Sequence, residues 1–360
     1  MLHDAPRHCR TRVACAFRSF SCVAGLGLLS VVTAAGADIR HPGSQSAVAG
    51  SRDGLLADAR SSLAEGKIEK AETAVRSYLK IHENSGDAHF LLGLILFRKI
   101  QAEATGKLAF ADSNDSMQRG SGARSREENA RASLAEYTEG AKYERPSASD
   151  LKIVALDYVL LGSYADASKW LTQSVEENPK DAEAWYYLGR AKYNENRFEE
   201  AIRAFERCLE LDPRNVKAQS NLGLSYAGLN RNPEALAALL KAIEWQAGAL
   251  RKNAEPYIDL GDLLIQQNRV PEAVEYLLQA VQIAPRESRA REKLGNAYLN
   301  LNDLAAAQSQ LESGISFDPE NPSLHYLLGT VYRKRGQQDK AKAELEQFQA
   351  LKEARGTGRP

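Results

Sequence analysis

Cysteine is nearly absent from this chain: four in 360 residues, of which Cys9, Cys15 and Cys22 crowd into the first 22. Past that segment only Cys208 remains, so no internal disulfide framework braces the fold and stability must come from packing. A lone Cys at an alternating apolar position of a helix reads as a small core residue rather than a reactive thiol. Net charge is missing as well, 47 basic against 47 acidic residues, which offers no handle to nucleic acid or to an anionic membrane. Metal-ligand spacing is lacking: beyond the N-terminal segment the histidines are His41, His82, His89 and His325, and no two share a helix face. No nucleophile elbow or phosphate loop occurs, and "GSG" at 120–122 sits in a polar stretch rather than between strand and helix. No residue is therefore assigned to catalysis, to a metal or to a cofactor, and the expectation is a non-enzymatic protein.

Long apolar runs are scarce too. The run from Cys22 to Ala35 is shorter than the ~20 residues a spanning helix needs, and it contains Gly25 and Gly27. Arg7, Arg10, Arg12 and Arg18 precede it, and Ala35-Gly36-Ala37 follows with the small-x-small pattern of a signal-peptidase site. Residues 1–37 are read as a cleaved export signal, which places the mature chain, with a charge of about −3, in the periplasm or outside a bacterial cell. A retained anchor and a cytoplasmic protein with an atypical start are the alternatives. Residues 38–51 are read as a flexible lead.

Repetition is what the sequence has in abundance. Gly66, Gly162, Asn196, Asn230, Asn268, Asn302 and Gly336 are residues that tolerate a left-handed backbone, and from Gly162 onward they recur at steps of 34, 34, 38, 34 and 34. Five positions past each stands an alanine: Ala71, Ala167, Ala201, Ala235, Ala273, Ala307 and Ala341. A methyl there lets the second helix of a hairpin lie close against the first. Seven positions before five of the turns lies a Leu-Gly pair, from Leu188-Gly189 to Leu328-Gly329. Glycine costs a helix about 1 kcal/mol against alanine, so it fits only where a neighbouring helix needs the space. Pro179, Pro213, Pro285 and Pro319 close their copies.

Trp185, Leu188, Gly189, Ala201, Phe205 and Pro213 together resemble the tetratricopeptide repeat, W-x2-L-G…A-x3-F…P at a period of 34. Lys192 departs from it at a place usually aromatic, which Tyr226, Tyr298 and Tyr332 fill in other copies. The resemblance implies an all-α, right-handed α-solenoid of about eight stacked antiparallel helix hairpins over 52–353, followed by a polar tail over 354–360. The units fall near 52–85, 86–147, 148–181, 182–215, 216–253, 254–287, 288–321 and 322–353. Two irregularities carry their own expectations. The step of 38 predicts a second helix one turn longer in the unit over 216–253, because four residues make about one turn. The unit over 86–147 carries 28 extra residues, read as a disordered or looped insertion over about 100–128. Within it Asp112 and Asn114 imitate a calcium loop without its essential Gly and Glu, and Asn114-Asp115-Ser116 is a glycosylation sequon by pattern alone.

In proteins of this family the first helices line a groove for a peptide or a partner helix. Carried onto this chain, that face comprises Tyr186, Arg190, Tyr193 and Asn194; Asn221, Leu224 and Ala227; Ile258, Asp262 and Ile265; Asn296 and Leu299; with Lys152, Leu156 and Val159 in an earlier copy. Trp185, Tyr226, Tyr257, Tyr298 and Tyr332 are read as packing residues. Alanine at Tyr186 and Tyr193 is expected to weaken partner capture and leave the melting temperature unchanged. Capture of a C-terminal carboxylate is set aside because Glu255 and Asp259 stand where positive charge is needed. The helix over "DKAKAELEQFQALKEAR" leaves Leu345, Phe348 and Leu351 as an apolar stripe, either a dimer contact or a partly exposed face. The functional expectation is a protein–protein interaction scaffold of the cell envelope, with no nucleic acid and no membrane span after signal removal. An accessory subunit of a secretion, pilus or polysaccharide-export machine and the repeat region of a carbohydrate-modifying enzyme are the alternatives.

Overall fold

The computed structural model describes residues 46–105 and 121–356. The proposed export signal, His41, and the calcium-like and glycosylation patterns at 112–116 lie outside the described residues. The chain divides between Ala47 and Val48. Of the first unit only Ser46 and Ala47 are described, as the start of a helix.

Sixteen helices are found among the described residues, in pairs. They are α1 (Ser46–Ala64) with α2 (Ile68–Leu79), α3 (Gly86–Thr105) with α4 (Ser121–Gly140), α5 (Ala148–Leu160) with α6 (Tyr164–Glu177), and α7 (Ala182–Asn194) with α8 (Phe198–Leu211). Then come α9 (Val216–Gly228) with α10 (Asn232–Trp245), α11 (Glu255–Gln266) with α12 (Val270–Ile283), α13 (Ser288–Asn300) with α14 (Leu304–Phe317), and α15 (Pro322–Lys334) with α16 (Gln338–Gly356). No strand occurs among the described residues. The fold is an α-solenoid of stacked helix hairpins.

Three local devices recur in the hairpins. Asn196, Asn230, Asn268 and Asn302 turn the chain at φ between 58 and 61°, the left-handed region that Asn tolerates among side-chain-bearing residues. Six of the seven register alanines are fully buried and Ala341 is 3% exposed. A β-carbon on Gly261 would stand 2.5 Å from Cγ of Leu277, so the glycine is required by close approach of α11 to α12. A fourth device sits at the tryptophan slot. Trp185 Nε1 donates to the Pro179 carbonyl at 3.0 Å, Arg291 Nη2 to Pro285 at 2.8 Å, and His325 Nε2 lies 2.9 Å from the Pro319 carbonyl, each six residues back. Three different side chains thus tie their hairpin to the preceding turn.

The core crosses hairpin boundaries. One cluster draws Ala235 and Leu239 from α10, Leu260 and Leu264 from α11, Ala273 and Leu277 from α12, and Leu294 and Ala297 from α13. No hairpin buries its apolar face alone, which is the physical basis of a solenoid. Cys208 is fully buried in such a cluster, and burial pushes its thiol up to about 11.

Several boundaries differ from the sequence reading. The four extra residues after α10 do not lengthen it: α10 has 14 residues, like α8 and α12. They widen the loop to α11, which Gln246 closes by accepting from the Asn253 amide at 2.6 Å and donating to its carbonyl at 3.0 Å. A turn of helix added there would displace α11 from α10, whereas a loop absorbs the residues without disturbing the stack. The insertion expected over 100–128 is helical at both ends, since α3 runs through Thr105 and α4 begins at Ser121. Helix likewise replaces the expected lead from Ser46 and the expected tail as far as Gly356.

The packing carries one electrostatic conflict. Asp157 of α5 is fully buried, and neither of its carboxylate oxygens has a hydrogen-bond partner. Neighbouring Ser133 commits its hydroxyl to the Gly93 carbonyl at 3.0 Å. Burial pushes the Asp157 carboxyl up to about 8, so it is held as the neutral acid around pH 7.

Candidate functional site

The first helices of successive hairpins touch one another from α3 to α15 along the odd-numbered series, whereas among the described residues the second helices touch only their flanking first helices. The stack is therefore tighter on the first-helix side, which makes that side concave. Along it the expected groove residues separate into two sets. Arg190, Tyr193, Asn194, Asn221, Leu224, Asp262, Ile265 and Asn296 are half-buried, as are Ala227 and Val159. Tyr186, Ile258, Leu299 and Leu156 are buried and belong to the core.

Tyr186 corrects the sequence reading most sharply. It is 6% exposed, its ring 6.1 Å from Phe205 and 5.3 Å from Tyr187, with the Arg190 guanidinium 5.9 Å above it. Truncating it removes core packing, so the expected neutral melting temperature does not hold. Ile258 is fully buried against Ala254, Tyr257, Ala280 and Ala290. Helix periodicity places both on the groove side, but a residue at the edge of that face is covered by the adjacent hairpin.

A charged centre joins α9, α11 and α13 across the groove. Arg289 donates from Nη2 to Asp259 Oδ1 at 2.6 Å and from Nη1 to Glu255, while Ser220 donates to Asp259 Oδ2 at 3.1 Å. Glu255 is pushed up to about 7 because burial outweighs the attraction of Arg289, with Asp259 and Glu287 adding repulsion. Asp259 is pushed up by burial in the same way, against the opposing pull of Arg289. Lys217, Asn221, Leu224 and Asn253 complete a small cleft over this centre. The two acids are thus not a bare negative patch. They engage the guanidinium, which leaves it committed and supports setting aside carboxylate capture on different grounds.

Flanking contacts extend the arrangement. Lys293 pairs with Asp262 at 2.8 Å, and Lys152 with Asp181 and Glu183 at 2.8 Å each. Burial raises the Tyr193 phenol, and the charges of Asp259 and Asp262 reach it from two hairpins away and that of Arg289 from three. Asn194 and Asn221 turn their amides back onto the carbonyls of Arg190 and Lys217, at 2.8 and 2.9 Å. The face therefore offers apolar anchors at Leu224 and Ile265 between polar posts at Arg190, Asn221, Asp262 and Asn296. Arg289 is absent from the sequence reading because its partners stand on another hairpin. It lies 34 residues after Glu255 and 30 after Asp259, at or near the repeat spacing itself.

Among the described residues no group of three or more metal-ligating side chains converges, and no helix is long and apolar enough to cross a membrane. Models of the tetratricopeptide repeat match residues 182–215, 216–286 and 292–358. The chain is a tetratricopeptide repeat protein. Its repeats imply a scaffold for protein–protein interaction. Similar proteins include the protein O-mannosyl-transferase TMTC3 of Mus musculus, 28% identical over 170 residues, 44% of this chain and 18% of that protein. The peroxisomal targeting signal receptor of Komagataella phaffii is 27% identical over 154 residues, 41% of this chain and 26% of the receptor. The chain thus spans 18% and 26% of the length of these two relatives. Among solved structures, a tetratricopeptide repeat protein from Parabacteroides merdae ATCC 43184 has a TM-score of 0.58 at 16% identity, covering 78% of this chain and 99% of that one. The type IV pilus biogenesis factor PilW has a TM-score of 0.50 at 19% identity, covering 56% of this chain and 92% of PilW. Both likenesses concern the fold.

Proposed function

We propose that this tetratricopeptide repeat protein is a non-enzymatic adaptor of the bacterial cell envelope that holds an extended or helical segment of a protein partner along the concave face. The observation that carries the reading is the face itself: half-buried apolar anchors, Leu224 and Ile265, alternate with polar side chains held by their own helix, as Asn221 is, or by the next hairpin, as Asp262 is by Lys293. Preorganised side chains lower the ordering cost of capture, and alternating anchors suit a segment rather than a globular surface. The receptor for a targeting signal among the relatives supports recognition of a peptide. The envelope assignment rests on the arginines, apolar run and Ala35-Gly36-Ala37 of the N-terminal segment. Service within a secretion, pilus or polysaccharide-export machine is one form of the same role.

The match to an O-mannosyl-transferase favours a second reading, the repeat region of a carbohydrate-modifying enzyme. Glycosyl transfer by the purified chain would establish that reading. For the first, Leu224→Glu with Ile265→Glu places two charges on the face at positions outside the buried core. Affinity capture from an envelope extract should lose its partners while circular dichroism stays unchanged. A folded double variant that captures the same proteins at the same yield defeats the groove assignment.

A further inference from the structure

The α15–α16 hairpin presents an open groove of about 640 Å³ lined by Tyr326 and Arg333 of α15 and by Lys342, Leu345, Phe348 and Glu353 of α16. One hairpin earlier, the equivalents of Leu345 and Phe348 are Leu311, fully buried, and Gly314, where a β-carbon would come within 2.9 Å of Leu324 on the next hairpin. The Gly314 position, read back along the stack, holds Ala280, Ala242, Cys208, Ser174 and Gly140, all small and all buried. Smallness there lets the following helix close in. Phe348 fills the same place and stays half-exposed, its ring 5.4 Å from that of Tyr326, which is itself 48% exposed. In α2, Tyr78 also takes this position, with its ring turned onto His82 at 4.5 Å. α3 packs on α2 past that ring, so an aromatic here redirects the contact between hairpins, whereas the small residues from α4 to α14 let the following helix close directly over them.

We propose that a second copy of this chain covers the groove, with the two α16 helices antiparallel about a two-fold axis beside Phe348. The charge pattern selects this occupant. Lys342 and Glu353 both line the groove, eleven residues or about three turns apart, and so share one helix face. An antiparallel pairing centred between Gln347 and Phe348 sets each Lys342 opposite Glu353 of the other copy. The face is complementary to itself, positive against negative, as an isologous interface requires. Lys342 is 77% exposed and meets Glu346 of its own helix only at 3.9 Å, so it is placed to turn toward a partner.

Sedimentation of the full chain across a concentration series tests the proposal. The wild-type chain should form a dimer and nothing larger. Lys342→Glu and Glu353→Lys should each raise the dimer Kd about tenfold or more, because like charges then face each other. The double variant Lys342→Glu, Glu353→Lys should return the Kd to within about threefold of wild type, since the swap restores opposition across the axis. Phe348→Glu should be monomeric with unchanged helicity. A chain monomeric at every concentration, a dimer insensitive to these changes, failure of the double swap to restore it, or open-ended head-to-tail growth overturns the proposal.

Discussion

Replacing Asp157 by Asn tests the electrostatic account of the α4–α5 junction through its pH dependence. Asp157 is fully buried without a partner for either oxygen, and burial lifts its carboxyl from 3.8 to about 8. A group whose folded pKa is raised binds more protons in the folded state, so stability is full below the unfolded value and falls as pH rises toward the folded one. The window is about pH 4 to 8, with a slope of up to about 1.4 kcal/mol per pH unit. From pH 5 to 8 the loss reaches roughly 4 kcal/mol, or roughly 8 °C of melting temperature at about 2 °C per kcal/mol. Glu255, pushed up to about 7, falls in the same direction, whereas Asp181 and Glu72, held low by lysine or arginine partners, act at more acid pH. The difference between variant and wild type cancels these shared terms. The substituted amide cannot ionise, and the cost of its unpaired donors is a constant offset. Thermal unfolding by circular dichroism from pH 4.5 to 8.5 should show the advantage of the Asp157→Asn variant growing steadily with pH. Parallel profiles for the two proteins would refute the reasoning.

Other substitutions address the hairpin devices and the groove centre. Tyr186→Ala should cost about 3 to 5 kcal/mol by emptying the space against Phe205, read as a fall in melting temperature. Arg289→Ala leaves Glu255 and Asp259 buried without their cation and should cost about 3 to 5 kcal/mol at pH 8. That loss should shrink at pH 5.5, where Glu255 takes up its proton, and a pH-independent loss would contradict the assigned charge state. Asn268→Val should cost about 1 to 2 kcal/mol in urea unfolding, because a β-branched residue resists the left-handed turn, whereas Asn268→Gly should be nearly neutral.

The fold is legible because the repeat writes its geometry into residue type. Asn196 and its equivalents mark the turns, and Ala201 and Gly189 mark the helix contacts, each requirement being steric and local. The helix ends are harder to read. Asn253 and Gln246 turn four extra residues into a loop through two hydrogen bonds that no periodicity encodes. At the groove, periodicity identifies the face but not its edges, so Tyr186 and Ile258, which neighbouring hairpins cover, look accessible in the sequence. Arg289 shows what a better reading would use. Opposite charges near 30 residues apart on first helices or their caps recur as Lys152 with Asp181, Asp262 with Lys293 and Glu255 with Arg289, so pairing should be sought at the repeat period.

Hydrogen exchange of the chain with and without a captured partner segment tests the central claim most directly. Binding along the concave face predicts slowed exchange in α7, α9, α11 and α13, with α8, α10 and α12 unchanged. Protection confined to the second helices, or to the α15–α16 hairpin, would contradict it.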